Sequence, residues 1–548
     1  MVFKAPASRF NAFLLFLGVA LLTRLPYFFK ADIDWDEHTF MLLGQSVLDG
    51  HLPYTFLLDV KAPFLWYGFA GLAFLAQNSL FRLRLIGSLL VACLALMSYL
   101  NVRRYWDSRR ATIAGLTCIA LLNLGAGGQA VMSEHLALFP LACTVTLWIS
   151  APRTDRTWFW LGVTLAITPL IRLNLAYFSF LVSIYLLFSI FWRSQEPLGD
   201  RLRQSAVFGL GITTVALALG LPYFLTGNLT SLNQGMIQAA LSFSREQSSL
   251  LWVFIQQLVN TFLMSKDSIA LLMLNWFILL CLSHQGLAFL RNKPKSQGFN
   301  PVPAGCVSDR VMQLSLTLER RPETRPETRP ETRHFYPLLW LGLLSIEVSI
   351  LRTGVFYGHY NLQFAFLLSL LMAEPIAQIL DHKTLWKRLA LGLVCLVMLI
   401  HQGLQAQTVI THWTQTGNPN YGLSLKVADV LAQENPDRRP VWLQTYHLAY
   451  WLNHTYPVLP SLTHPSNINK PFLLQSWYGD QASPLGELQK IIAQSPWLII
   501  GRSNNPYFFP DRSPEQVLLQ DFLAQHYQIL EGYDPDLVVY RWSSIVGD

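Results

Sequence analysis

The chain has 548 residues, 52% of them hydrophobic and only 13% charged, with 17 tryptophans and 34 phenylalanines. Several mostly apolar runs reach about 18 residues or more, enough to cross a hydrocarbon core of roughly 30 Å, which excludes a soluble enzyme with an ordinary polar surface. The net charge of +7 sits mainly in basic loops between apolar runs, a membrane-topology signature and not a nucleic-acid footprint, and the six cysteines show neither metal-ligand spacing nor a disulfide framework.

In chain order, a basic start leads into an uncleaved first span, Asn11–Phe29. Lys4 and Arg9 put its beginning in the cytoplasm, so the loop over 30–80 is external. That loop opens with Asp32-Ile33-Asp34-Trp35-Asp36-Glu37-His38, four carboxylates in six residues. Farther along it come Asp59 and Lys61, then Pro63–Gln77, an apolar but short and glycine-rich run expected to lie in the interface. Spans follow at Leu85–Val102, Ala111–Leu124, His135–Ser150, Trp158–Leu170, Leu175–Trp192 and Ser205–Leu225. A second interfacial helix is expected at Leu251–Met264, then spans at Ser268–Leu290, Phe335–Leu351, Leu362–Leu380 and Leu389–Gln405. This makes about eleven crossings, and the basic residues fall overwhelmingly on one side of them. The loop 291–334 is cytoplasmic and contains Arg-Pro-Glu-Thr three times in tandem from Arg321 to Thr332. Alternating charge with repeated proline predicts disorder there.

After residue 405 the pattern changes. Leu423–Gln433 has helical amphipathic spacing and Pro514–His526 reads as a helix. Pro440–Leu443, Trp497–Gly501 and Leu537–Tyr540 read as strands. Strands alternating with helices predict a small α/β domain. The expected architecture is therefore a polytopic α-helical membrane protein, with a transmembrane domain over 1–405 and an extracytoplasmic α/β domain over 406–548.

Ionisable groups at a membrane boundary are costly and invite a functional reading. On the external side the candidates are the carboxylates of the first loop, Asp59, Lys61, Glu134, His135, Arg172, Arg245, Lys266, Arg352, Tyr357, His359 and Tyr360. Carboxylates from two loops and cations from several others suit a membrane-anchored phosphosugar donor. Lysine or arginine can hold the polyprenyl phosphate leaving group, and a carboxylate can take the proton of an attacking hydroxyl. Arg172, Arg352, His359 and Tyr360 are candidates for the donor phosphate. Asp36 and Glu134 are candidate ligands for a divalent cation, Mg²⁺ or Mn²⁺ suiting carboxylates better than zinc. Glu37 suits the first turn of a helix and could support the site through a metal or a hydrogen bond. Asp32 and Asp34 are expected to be solvated bystanders, and His135 an ordinary interfacial histidine. Arg82 and Arg84 are expected to touch lipid headgroups, and His447, His454 and His464 to lie on the surface.

The run Asp36-Glu37, Leu52-Pro53-Tyr54, then Asp59-Val60-Lys61-Ala62-Pro63 resembles the first-loop pattern of the GT-C membrane glycosyltransferases. It is nearest to the bacterial branch of protein O-mannosyltransferases and lipid A aminoarabinose transferases. Ala130-Val131-Met132-Ser133-Glu134 is similar to that family's second acidic site, and Gly358-His359-Tyr360 to a late-span feature. The resemblance implies Asp36 as catalytic base, Glu134 as second acidic residue and Lys61 on the donor phosphate. Three positions depart from the pattern: Thr39 stands where a basic residue is common, Lys61-Ala62-Pro63 replaces Lys-Pro-Pro, and Glu134 replaces an aspartate. The implied activity is inverting transfer of a sugar from a polyprenyl-phosphate donor to a lipid, glycan or protein acceptor at the bacterial plasma membrane. The alternatives are a transporter or flippase for lipid-linked sugars, and an O-antigen-ligase-like enzyme with a diphosphate donor.

Overall fold

The structure, a computed structural model, describes residues 8–124, 127–150, 152–193, 196–245, 250–259, 279, 335–353, 357–381 and 385–543. The expected span Ser268–Leu290 apart from Leu279, Lys266, and the loop 291–334 with its repeats lie outside the described residues. So does the second half of the expected interfacial helix at Leu251–Met264, whose described part is the helix Leu250–Leu258.

Nine helices set up the first half: α1 Arg9–Arg24, α2 Trp35–Leu48, α3 Pro63–Ala76, α4 Leu80–Arg103, α5 Ser108–Leu124, α6 Ser133–Ser150, α7 Asp155–Ile171, α8 Ala176–Phe188 and α9 Leu198–Leu225. Further helices follow at Phe335–Arg352, Ala365–Asp381 and Leu385–Thr416. Every expected span other than Ser268–Leu290 falls on one of these helices. Among the described residues, six segments are long and apolar enough to cross a membrane by length and composition: Arg9–Phe29, Leu80–Arg103, Leu173–Trp192, Leu198–Leu225, Gly358–Asp381 and Leu391–Thr416. The last runs past the expected boundary at Gln405 and carries the chain into the tail.

Local chemistry explains the ends near the site. Pro26 lacks an N–H and tightens the end of α1 into a 3₁₀ turn over Leu25–Phe29. Asp34 caps α2, its carboxylate accepting from the Asp36 N–H at 2.9 Å. Pro63 opens α3 at a position where no N–H is needed. The helix expected to carry Glu37 in its first turn is the short helix α2. It crosses α3 so closely that a Cβ on Gly44 would lie 2.4 Å from the backbone carbon of Phe69. Glycine there lets the two backbones meet.

The tail folds as a four-stranded sheet, β1 Val441–Leu443, β2 Leu498–Arg502, β3 Tyr527–Ile529 and β4 Leu537–Trp542, in the order β1-β2-β4-β3. β1 runs parallel to β2, and the other pairs are antiparallel. Side chains alternate across the sheet. Trp442, Ile499 and Tyr540 pack with Leu488, Ile491, Leu519 and Phe522 from two tail helices. Val441, Leu443, Leu498, Ile500 and Val539 instead join the same buried cluster as Phe40, Leu43, Trp66 and Phe69 of α2 and α3. The tail and the first loop therefore share one core. Polar contacts add to it: Ala31 N–H donates to Tyr421 O and Tyr421 N–H to Phe29 O, both at 2.9 Å. Asp32 accepts from the backbone N–H of Ser424 at 3.1 Å and from its hydroxyl. Asp32 is a docking residue of the tail, not a solvated bystander.

Candidate active site

The loops at one end of the helical bundle bring together Asp36, Lys61, Glu134, Arg172, His359 and, from the tail, His464. Asp36 stands in the first turn of α2, two residues after its cap. Lys61 Nζ lies 3.1 Å from Asp36 Oδ2 and 5.1 Å from the centre of the Phe40 ring, one turn along the same helix. The lysine's own peptide is pinned. Its carbonyl accepts from the Tyr54 hydroxyl at 2.6 Å and from the Trp66 indole at 3.3 Å, and its N–H donates to Asp59 Oδ1 at 3.2 Å.

Glu134 stands in the first turn of α6, fully buried, with Oε1 2.9 Å from Arg172 Nη2. The Ser133 hydroxyl donates to its other oxygen at 3.0 Å and accepts from Arg172. Arg172 follows the end of α7, and its guanidinium lies 4.8 Å from the centre of the Tyr360 ring. His359 bridges the two acidic positions, with Nε2 4.0 Å from Asp36 Oδ2 and 3.9 Å from Glu134 Oε1. Lys61, Asp36, Arg172, His359 and His464 each keep between 11% and 25% of the side chain exposed, so the cluster is sheltered but reachable.

The carboxylates of the loop are driven apart electrostatically. Burial alone would raise the Asp36 pKa, but Lys61 above all, with a hydrogen bond from His464 and the nearby His359, holds it well below the usual carboxylate range. Asp34 is pushed up to about 7 by burial first and then by the charge of Asp36, with Glu134 and Glu37 adding to it. Near neutral pH, Asp36 is thus an anion while Asp34 passes between its neutral and charged forms. Burial works against the Lys61 ammonium, yet Asp36 and Asp59 hold its pKa above the ordinary lysine value.

Other candidates are placed elsewhere. Glu37 is completely buried, ion-paired with Arg84 and accepting from the Val131 N–H at 2.5 Å. It ties α2 to α4 and to the turn before Glu134, and it does not open onto the cluster. Arg84, expected among lipid headgroups, is buried because Glu37 and the carbonyls of Lys30 and Ala31 satisfy it. Arg82 is exposed and bonded to Gln77. Asp34 is a half-buried helix cap, not a solvated charge. His135 is buried and accepts from the Met132 N–H at 3.1 Å. Arg352 lies on the exposed end of the helix Phe335–Arg352.

Three residues that build or brace the cluster escaped the sequence reading. Arg24 is buried at the end of α1 and donates to the carbonyls of Gly128 at 2.7 Å and Gln129 at 2.6 Å, bracing the turn that leads to Glu134. The only signal was a lone arginine closing an apolar span. His464 and Lys470 come from the tail. Lys470 is set among Lys61, Asp59 and Asp36, and its pKa is lowered by burial and then by Lys61. His447, also expected on the surface, is buried between the carbonyls of Thr463 and Leu443.

A divalent cation does not fit the donor set. Asp36 and Glu134 are already neutralised by Lys61 and Arg172, which would repel a metal placed between them. Among the described residues no group of three or more His, Cys, Asp and Glu side chains is arranged to hold one.

Comparison with solved structures matches nearly the whole chain. ArnT from Cupriavidus metallidurans bound to undecaprenyl phosphate superposes with a TM-score of 0.57 at 13% identity, over 98% of this chain and 99% of that one. Its apo state gives a TM-score of 0.55 at 13% identity, over 96% and 97%. The likeness shows that the chain shares the fold of these ArnT structures. A scan against protein-family models and a search of curated protein sequences gave no match. Within this fold, the Asp-Glu pair, the lysine before α3 and the acidic residue opening α6 occupy one end of the bundle, with the sheet domain packed against that end.

Proposed function

We propose that this protein is a glycosyltransferase that moves a sugar from a polyprenyl-phosphate donor to an acceptor on the extracytoplasmic face of a bacterial plasma membrane. One observation carries the reading: an ionised Asp36 in direct contact with Lys61, on a GT-C fold whose solved counterpart binds undecaprenyl phosphate. Basic residues at the opposite end of the bundle, among them Arg103, Arg104, Arg109, Arg110, Arg201 and Arg203, support an extracytoplasmic site.

The chemistry follows from the charges. An incoming donor phosphate competes with Asp36 for Lys61 and takes charge from Arg172, with His359 and Tyr360 alongside. As Lys61 turns to the phosphate, Asp36 loses its strongest stabilising partner and its affinity for a proton rises. The acceptor hydroxyl gives its proton to Asp36 Oδ2 while its oxygen bonds to the anomeric carbon. The bond from that carbon to the phosphate oxygen breaks, and its electron pair leaves with the polyprenyl phosphate. Attack from the side opposite the leaving group inverts the anomeric centre.

The test uses the full chain in lipid nanodiscs with a panel of undecaprenyl-phosphate sugars and a membrane-glycan extract as acceptor. Release of undecaprenyl phosphate is the readout. It separates transfer from flipping, which releases nothing, and diphosphate donors in the same panel test the ligase alternative. Asp36→Asn is expected to lower kcat by about 10²-fold or more. Lys61→Met is expected to weaken undecaprenyl phosphate binding as well as turnover. Full activity of Asp36→Asn would remove Asp36 as base.

A further inference from the structure

The partner of Asp36 Oδ1 comes from far down the chain. His464 lies between two 3₁₀ turns of the tail, Pro460–Thr463 and Pro465–Asn469. Its Nε2 is 3.3 Å from Asp36 Oδ1, the carboxylate oxygen opposite the one that meets Lys61. Several contacts hold the ring in place. The Ser466 backbone N–H donates to Nδ1 at 3.1 Å, and the Ser466 hydroxyl lies 2.8 Å from the same nitrogen. The Trp35 indole stacks on the ring, with centroids 6.0 Å apart and planes inclined by 23°. The carbonyl just before the histidine, on Thr463, accepts from the Thr39 hydroxyl at 3.4 Å and lies 2.9 Å from His447 Nδ1. Thr39, where the resembled branch commonly has a basic residue, thus ties α2 to the His464 peptide.

A ring nitrogen that accepts from a backbone N–H carries no hydrogen. The hydrogen of the neutral imidazole is therefore on Nε2, aimed at Asp36. We infer that His464 is a positioning residue for the transfer reaction: its Nε2–H holds Asp36 Oδ1, keeps Oδ2 turned toward Lys61, and makes the tail domain a structural part of the active site. This rests on the reading of Asp36 as base. Once Lys61 turns to the donor phosphate, the His464 bond still orients the carboxylate.

The bond also favours the ionised form of Asp36, so its loss moves the Asp36 titration to higher pH. The other groups that bear on that titration are Asp34 and Glu37 on α2, Asp59 and Lys61 before α3, Glu134 and Arg172 across the cluster, Tyr357, His359 and Tyr360, and Lys470 of the tail.

The decisive measurement needs no substrate. Full-length protein in nanodiscs is labelled with a water-soluble carbodiimide, which attacks protonated carboxyls, across pH 2 to 7, and Asp36 modification is localised by fragmentation mass spectrometry. His464→Asn, whose amide nitrogen falls near the Nδ1 position, is expected to raise the Asp36 midpoint by about one pH unit. His464→Gln, whose amide nitrogen reaches the Nε2 position, should stay near wild type. Trp35→Leu, which removes the stacking plane but not the histidine, is expected to shift the midpoint in the same direction as Asn. With the donor that turns over in the panel, His464→Asn should lower kcat about tenfold to a hundredfold with KM little changed, and Gln should restore most of it. Equal midpoints in wild type and the Asn and Gln variants would overturn the inference while leaving the Asp36 reading intact. A shifted midpoint in a protein whose Asp36→Asn variant still turns over would instead retain the coupling and discard Asp36 as base.

Discussion

Arg84→Met isolates the ion pair behind the active-site loop. Both partners are buried, with 1% of the Arg84 side chain and none of Glu37 exposed. Removing the arginine leaves the Glu37 carboxylate in a low-dielectric site with the Val131 N–H as its remaining donor. Breaking one side of a buried pair costs about 3–5 kcal/mol. The carbonyls of Lys30 and Ala31 lose a donor as well, at about 1 kcal/mol each. A total loss of about 5–7 kcal/mol is therefore expected. The double variant Glu37→Gln, Arg84→Met removes the stranded charge and keeps an acceptor for Val131, so it should recover at least half of the loss. Reversible unfolding in a mixed detergent, monitored for wild type, both single variants and the double, closes the cycle. A cost below about 1 kcal/mol for Arg84→Met, or a double variant no more stable than that single variant, would refute the idea that this pair holds α2, α4 and the Val131 turn together.

Two further predictions concern the same loop. Asp34 has its pKa raised to about 7 in the folded protein. Between the unfolded value near 4 and that point the folded state binds more protons, so Asp34 makes stability fall as pH rises through this window. Asp36 acts with the opposite sign, its contribution being present above the ordinary carboxylate value and lost as pH falls below it. Asp34→Asn keeps the helix cap and should flatten the Asp34 part of a melting-temperature profile between about pH 4 and 7; an unchanged profile would contradict the assignment. Gly127 has φ +68° and would carry a Cβ 3.0 Å from Asp34 Oδ2, whereas Gly417, at φ +73°, has open space around it. Gly127→Ala should therefore cost more than the backbone penalty of about 1 kcal/mol expected for Gly417→Ala, read as the difference between their melting temperatures. Equal losses would show that the Asp34 contact yields freely.

Much of the helical layout is legible in the sequence because apolar length is a local property. A span such as Leu85–Val102 needs no partner to declare itself, and it falls within α4. The strands of the tail announce themselves by short β-branched and aromatic runs, while β3 is missed because Tyr527–Ile529 is brief and follows directly on a helix. Within the candidate site, Asp36 and Lys61 stand out through charge spacing beside an apolar run, and the structure brings the two into direct contact. Other charges are ambiguous for a physical reason. Whether Asp32, Asp34, Glu37 or Arg84 meets water, lipid or a counter-ion depends on neighbours that sequence spacing does not specify.

The four carboxylates from Asp32 to Glu37 show this most clearly. Composition and hydropathy are enough to place an acidic loop after the first membrane span, since the cost of burying charge in hydrocarbon is the same in any fold. Their division of labour is a three-dimensional result. Asp32 docks the tail, Asp34 caps a helix and is pushed toward its neutral form, Asp36 faces Lys61 and His464, and Glu37 is sealed against Arg84. Each role depends on a partner brought from another helix, loop or domain, and electrostatic energy depends on distance in space, so folding had to supply the neighbours before those charges could be told apart.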